Sequence, residues 1–136
     1  MKKVLILCTG NSCRSQMADG LLSSSLTNFQ IYSAGTKPEP VNHFAVKAMN
    51  QIGIDISKNF SNHVDEYTDI DFDYVFTVCD NAKEICPIYP KAKQMIHHSF
   101  IDPADAKGSA SEQLAVYVNV RNQLSDYFKD FFKNIS

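Results

Sequence analysis

Cys8 and Arg14 stand six positions apart in "LILCTGNSCRSQMA", residues 5 to 18. The chain has only two arginines and four cysteines in 136 residues, and this stretch holds one of the arginines and two of the cysteines. A sulfur nucleophile followed by a loop and a guanidinium suits attack on a tetrahedral oxyanion. Arg14 presents a planar fork of donors that matches two oxygens and never loses its charge. The intervening Thr9, Gly10, Asn11, Ser12 and Cys13 are small residues able to adopt tight or left-handed conformations. Such a loop can turn its amide hydrogens inward as a nest. With Ser15 and the N-terminus of a following helix, worth roughly +0.5 charge, it would cradle an anion. In surroundings of this kind a cysteine thiol, ordinarily near pKa 8.5, falls to about 3.5 to 7.5 and is nucleophilic at neutral pH. That is the role expected of Cys8, with Ser15 donating a hydrogen bond to its sulfur.

A thiolate attacking an oxyanion needs an acid for the departing oxygen. "SFIDPADAKGS" (99 to 109) offers Asp102, which Pro103 restricts to an extended conformation that helps aim its carboxyl group. Cys79 and Cys86 bracket "DNAKEI", a charged stretch with helical propensity. Seven helical steps would hold their Cα atoms roughly 10 Å apart, beyond the about 4.4 to 6.8 Å of a disulfide. If these two cysteines bond, the segment must unwind, which would make it a redox-driven switch.

These residues need elements to position them. Residues 3 to 8 form a continuous apolar run, as in a strand covered on both faces. Met17, Ala18, Leu21, Leu22 and Leu26 then recur at helical spacing. "FQIYSAG" (29 to 35) reads as a strand, and Phe44, Ala45, Ala48, Met49 and Ile52 as a helix stopped at Gly53. "YVFTVC" (74 to 79) is a third strand and "KQMIH" (93 to 97) a weaker fourth. Leu114, Tyr117, Val118, Leu124, Phe128 and Phe131 mark a long last helix. The alternation predicts one α/β domain over 1 to 136, a four-stranded parallel sheet flanked by helices on both faces. Ligands of such folds bind outside the carboxyl ends of the strands, where Cys8 and Cys79 fall.

Composition narrows the partners. A net charge of -2 gives no broad basic face for nucleic acid or anionic membrane. The apolar run of "MKKVLILC" is too short for a signal-peptide core or a membrane span. A cytoplasmic location is expected, where structural disulfides are rare. The cysteines contain no Cys-x-x-Cys pair, and adjacent His97 and His98 point to opposite faces of a strand, so no metal site is expected.

"CTGNSCRSQMA" (8 to 18), "SAG" (33 to 35), "GIDIS" (53 to 57), "VCDNAKEICP" (78 to 87) and "DPA" (102 to 104) resemble the thioredoxin-coupled arsenate reductases built on the low-molecular-weight protein tyrosine phosphatase fold. The resemblance runs along nearly the whole chain and implies a cysteine relay. Cys8 would attack arsenate in the loop after the first strand, Arg14 and the loop amides would hold the oxyanion, and Asp102 would protonate the leaving oxygen. Cys79 would attack the Cys8 adduct and release arsenite; Cys86 would then resolve the Cys8 to Cys79 disulfide, leaving a Cys79 to Cys86 disulfide for thioredoxin. No cofactor is implied, and a monomer is expected. Cys13 matches a family cysteine with no part in the relay and is expected to pack.

A phosphatase forming a cysteinyl phosphate on the same cradle is the alternative. Gln16 stands where similar phosphatases carry Pro, and Ala104 and Asp105 where they place tyrosines, so only weak side activity of that kind is expected. A non-catalytic oxyanion-binding or redox-sensing module is a further alternative, disfavoured by the intact Cys8, Arg14 and Asp102 set. Relatives that bind potassium beside the loop use a longer acid than Asp19 and a Thr-x-Asp where this chain has Phe60 and Asn62, so that site is not expected here.

Overall fold

A computed structural model describes residues 1–80 and 88–133. Four strands, β1 (Lys2–Cys8), β2 (Phe29–Gly35), β3 (Phe72–Thr77) and β4 (Ala92–His97), form one sheet in the order β2-β1-β3-β4, with every pairing parallel. Three α-helices accompany them: α1 (Arg14–Ser25), α2 (His43–Asn50) and α3 (Ala110–Phe132). Val4, Leu5, Ile6 and Leu7 of β1 are wholly buried, so the apolar run is the central strand that its composition demands. The chain leaves β1 toward β2 on one side and later returns to β3 on the other. The carboxyl end of β1 is therefore the topological switch point, where open α/β sheets bind ligands.

The pleat divides the core in two. Val4, Ile6, Cys8, Tyr74 and Phe76 face α1, α2 and α3. Leu5, Leu7, Ala34, Phe72 and Val75 face the other way, onto Tyr89 and onto Val64 and Tyr67 of a 3₁₀ helix, Val64–Tyr67. Both faces are covered as expected. Among the described residues, however, the second layer is a 3₁₀ helix with edge-to-face aromatic rings about Phe72, not an α-helix. Alternation in the sequence cannot distinguish these coverings, because either buries one face of the strands.

Local chemistry sets the element ends. Asn42 caps α2 by accepting from the amides of Phe44 and Ala45, and Gly53 beyond that helix holds φ +78. Ser109 and Glu112 form a reciprocal capping box at the start of α3. No helix among the described residues is long and apolar enough to cross a membrane.

Candidate active site

The segment between β1 and α1 is a loop whose carbonyls are all taken from outside. Thr9 O accepts from Lys37 N (2.9 Å), Gly10 O from Glu39 N (2.8 Å) and Ser12 O from Asn42 N (3.1 Å). Asn11 O accepts from the Gln16 side chain (3.1 Å) and the Ser61 hydroxyl (2.9 Å). With the carbonyls turned outward into this belt, the amide hydrogens turn inward, which is the nest an anion requires. Asn11 makes the turn possible by adopting φ +48, and its side chain locks it there. Nδ2 donates to Ser15 Oγ (2.8 Å), and Oδ1 accepts from Asn62 N (2.8 Å). Gly35, paired with Cys8 across the sheet, lets β2 approach the loop closely: a Cβ there would lie 2.3 Å from Thr9 O.

Beyond the loop, Cys13 is the N-cap of α1, and its side chain makes no capping hydrogen bond to the helix. The amides of the first helical turn have no intrahelical partner and are directed at the pocket. Arg14, the first helical residue, is 2% exposed; its Nη1 donates to Phe100 O (3.1 Å), and its Nη2 lies 3.5 Å from Asp102 Oδ2. Asp102 is extended (φ -82, ψ 110), as the following proline dictates, and caps a 3₁₀ turn, Pro103–Asp105, through Ala104 N (3.0 Å). Cys8 is only 3% exposed, yet it lines an open cavity of about 310 Å³ with Gly10, Arg14 and Asp102. Cys8 therefore borders a pocket and is not sealed in the core.

Cys8, Thr9, Gly10, Ser12, Cys13, Arg14 and Asp102, all expected site residues, meet in this cavity. Asn11 and Ser15 lie behind it, both fully buried. Ser15 Oγ accepts from Asn11 Nδ2, a contact that does not use the hydroxyl hydrogen expected to point at the Cys8 sulfur. Cys13 does more than pack. Its thiol donates to Asp102 Oδ1 across 3.8 Å, and burial, then the negative charge of Asp102, pushes its pKa up to about 12, so it stays a neutral donor. Tyr117 of α3 is likewise pushed up to about 12 by burial and by the nearby Cys13 and Asp102. Cys79 lies two residues past β3, wholly buried and disulfide-bonded, whereas Cys8 and Cys13 are free thiols. Cys86, and the segment expected to be helical between it and Cys79, fall outside the described residues.

Sequence reasoning did not find the belt. Gln16 had been noted only for replacing a proline, yet it clamps the site: fully buried, it ties Asn11 O to Phe60 O and accepts from Asn59. Its one available signal was an amide two residues past the arginine, in the first turn of the helix. Beside the loop, Asp19 accepts from Ser33 (2.8 Å) and Ser23 (2.9 Å), and burial raises its pKa. Asn62 directs N–H groups at Asn11 Oδ1 and Phe60 O, and Phe60 is 80% exposed. His97 bridges Thr77 (2.7 Å) and Ser99 (2.9 Å) by hydrogen bonds.

A parallel sheet whose switch-point loop is shaped as an anion nest beside a cysteine, with a buried arginine and an Asp-Pro at the same pocket, has the layout of a phosphatase-type thiol site. The chain belongs to the low molecular weight phosphotyrosine protein phosphatase family, whose model matches residues 3–135. Within that family it is 44% identical over 131 residues to an arsenate reductase of Halalkalibacterium halodurans (96% of this chain, 94% of that one). It is 40% identical over 131 residues to an arsenate reductase of Bacillus subtilis, with the same coverage of 96% and 94%. Among solved structures it resembles an arsenate reductase in the oxidized state, with a TM-score of 0.83 at 27% identity over the full length of both chains. An arsenate reductase in the phosphate binding state also matches, with a TM-score of 0.79 at 27% identity over the full length of both.

Proposed function

We propose that this protein is an arsenate reductase that reduces arsenate to arsenite through its own cysteines, with phosphate ester hydrolysis at most a weak side activity. The observation that carries the reading is Cys8 on the floor of a cradle whose amides, helix N-terminus and Arg14 all favour a tetrahedral oxyanion. In the proposed sequence the Cys8 thiolate attacks arsenate and forms a sulfur-arsenic bond while Asp102, on the rim, protonates the departing oxygen, which leaves as water. The Cys79 thiolate then attacks the Cys8 sulfur. The sulfur-arsenic bond breaks with its electron pair going to arsenic, arsenite leaves, and a Cys8 to Cys79 disulfide remains. Cys86 attacks that disulfide at Cys79, regenerating the Cys8 thiolate. Reduction of the resulting Cys79 to Cys86 disulfide by thioredoxin completes the cycle, in a cytoplasm that keeps such thiols reduced.

Sheet geometry supports the first exchange. Leu7 pairs with Thr77, and Val78 N donates to Leu7 O (3.0 Å). Cys79 follows one residue after Val78, just past the end of the strand that lies beside β1.

The test is mass spectrometry of Cys86→Ser after one turnover with arsenate. The expected product is a trapped Cys8 to Cys79 disulfide with one equivalent of arsenite. Full release of arsenite from protein that remains entirely reduced would falsify the relay.

A further inference from the structure

Gln16 is fully buried in the first turn of α1, where packing alone would be served by an apolar side chain. Its amide instead joins three separate positions: Nε2 donates to Asn11 O (3.1 Å) and Phe60 O (3.0 Å), and Oε1 accepts from Asn59 Nδ2 (3.1 Å). A glutamine amide has two hydrogens, so both are used. Asn11 O also accepts from the Ser61 hydroxyl (2.9 Å), which fills its second lone pair. The Asn11–Ser12 peptide is trans, and across a trans peptide the carbonyl and the N–H point in opposite directions. Holding the carbonyl outward therefore turns the Ser12 N–H inward, toward the cavity that Ser12 lines. The far anchor does not depend on apolar burial. Phe60 is 80% exposed, so its segment is held against the loop by polar bonds, those of Gln16 and Ser61 among them.

We propose that Gln16 is a positioning residue for the oxyanion: by holding the Asn11 carbonyl outward it aims the Ser12 amide into the cradle before any anion arrives. The inference rests on the oxyanion-cradle reading of the site. It gives the anion a donor that is already aligned, so binding does not have to turn the peptide. A hydrogen bond to a charged group changes affinity by roughly tenfold or more. With Ser61 still on Asn11 O, loss of the Gln16 amide is expected to cost about tenfold.

Titration of the reduced protein with inorganic phosphate at pH 7, followed by calorimetry and by the NMR signal of the Ser12 amide, tests this without relying on turnover. In the wild-type protein the Ser12 amide proton is expected to move downfield on saturation, the signature of a new hydrogen bond to an anion. Gln16→Met, which keeps the length of the side chain and loses its three bonds, is expected to bind phosphate about tenfold more weakly and to show a clearly smaller Ser12 shift. Wild-type binding without movement of the Ser12 signal overturns the assignment while leaving the cradle intact, and it decides the matter even if the variant folds poorly. Unchanged affinity in Gln16→Met does the same. Weaker binding with the full Ser12 shift also overturns it, since a general loosening of the fold would produce that result. Binding of no phosphate by the wild-type protein overturns the cradle reading and this inference with it.

Discussion

Asn11 is the residue on which the cradle's shape turns, and replacing it gives a number that can be worked out in advance. Its two side-chain hydrogen bonds, to Ser15 Oγ and from Asn62 N, are both 2.8 Å long and lie in or beside the core. Removing them costs about 1 kcal/mol each, and the stranded Asn62 amide adds a further fraction, so Asn11→Gly is expected to lose about 2 to 3 kcal/mol. Asn11→Ala loses the same bonds and must also hold a Cβ at φ +48, which costs about 1 to 2 kcal/mol. Glycine's greater freedom in the unfolded chain offsets about 0.4 to 1 of that, so alanine should be the worse variant by about 0.5 to 1 kcal/mol. Urea unfolding of the reduced proteins measures this: with a slope of about 1 to 3 kcal/mol/M, the midpoint should fall by roughly 1 to 2 M and further for alanine. Because the inward amides lose their alignment, kcat/KM for arsenate should fall roughly 100-fold in both variants. Two outcomes would refute the reasoning: alanine at least as stable as glycine, or a loss below about 1 kcal/mol in both, since either means the left-handed turn does not depend on this side chain.

Two further expectations follow from the same neighbourhood. Gly35→Ala sets a Cβ 2.3 Å from Thr9 O and 2.9 Å from Asn11 N, both backbone atoms, so the loop must move; phosphate binding by calorimetry should be abolished while circular dichroism still reports a folded sheet. Cys13, with a folded pKa of about 12 against an ordinary value of 9.0, contributes stability that is complete below pH 9 and is lost as pH rises toward 12. Urea melts at pH 8 and pH 10.5 should therefore show a steeper alkaline loss for the wild-type protein than for Cys13→Ala. Tyr117 titrates in the same limb, but burial, the main cause of its shift, is common to both proteins, and equal slopes would contradict a buried neutral thiol.

The sheet and the cradle were legible because each leaves a local signal. β1 is an unbroken apolar run, and the loop chemistry is written within a few residues, so Cys8, Arg14 and the intervening small residues needed no tertiary information. β4 read weakly for a physical reason: an edge strand with most of its residues exposed carries no strong apolar pattern. What stayed hidden is contributed across long sequence separations. The belt from Lys37 to Asn42 acts through backbone amides, which any residue supplies, so its composition says nothing of its role. Glu39 reads alone as a solvated charge, and nothing local shows that its carboxylate lies 3.1 Å from where a Cβ on Gly10 would stand. Cys13 and Asp102 are 89 positions apart, and their contact depends on how α1 starts against the last loop.

The sheet and the belt also divide the work between the two halves of the proposed chemistry. Cys79 is disulfide-bonded, yet Cys8 and Cys13 are free thiols and the loop keeps all its outward hydrogen bonds. The bonds described come from Lys37 to Asn42, from Ser61 and from Gln16. In the proposed relay, oxidation that passes from Cys8 to Cys79 leaves these bonds in place. The oxidised protein is therefore expected to bind inorganic phosphate as the reduced protein does, and calorimetry before and after reduction checks it; binding lost on oxidation would mean that the belt alone does not hold the loop.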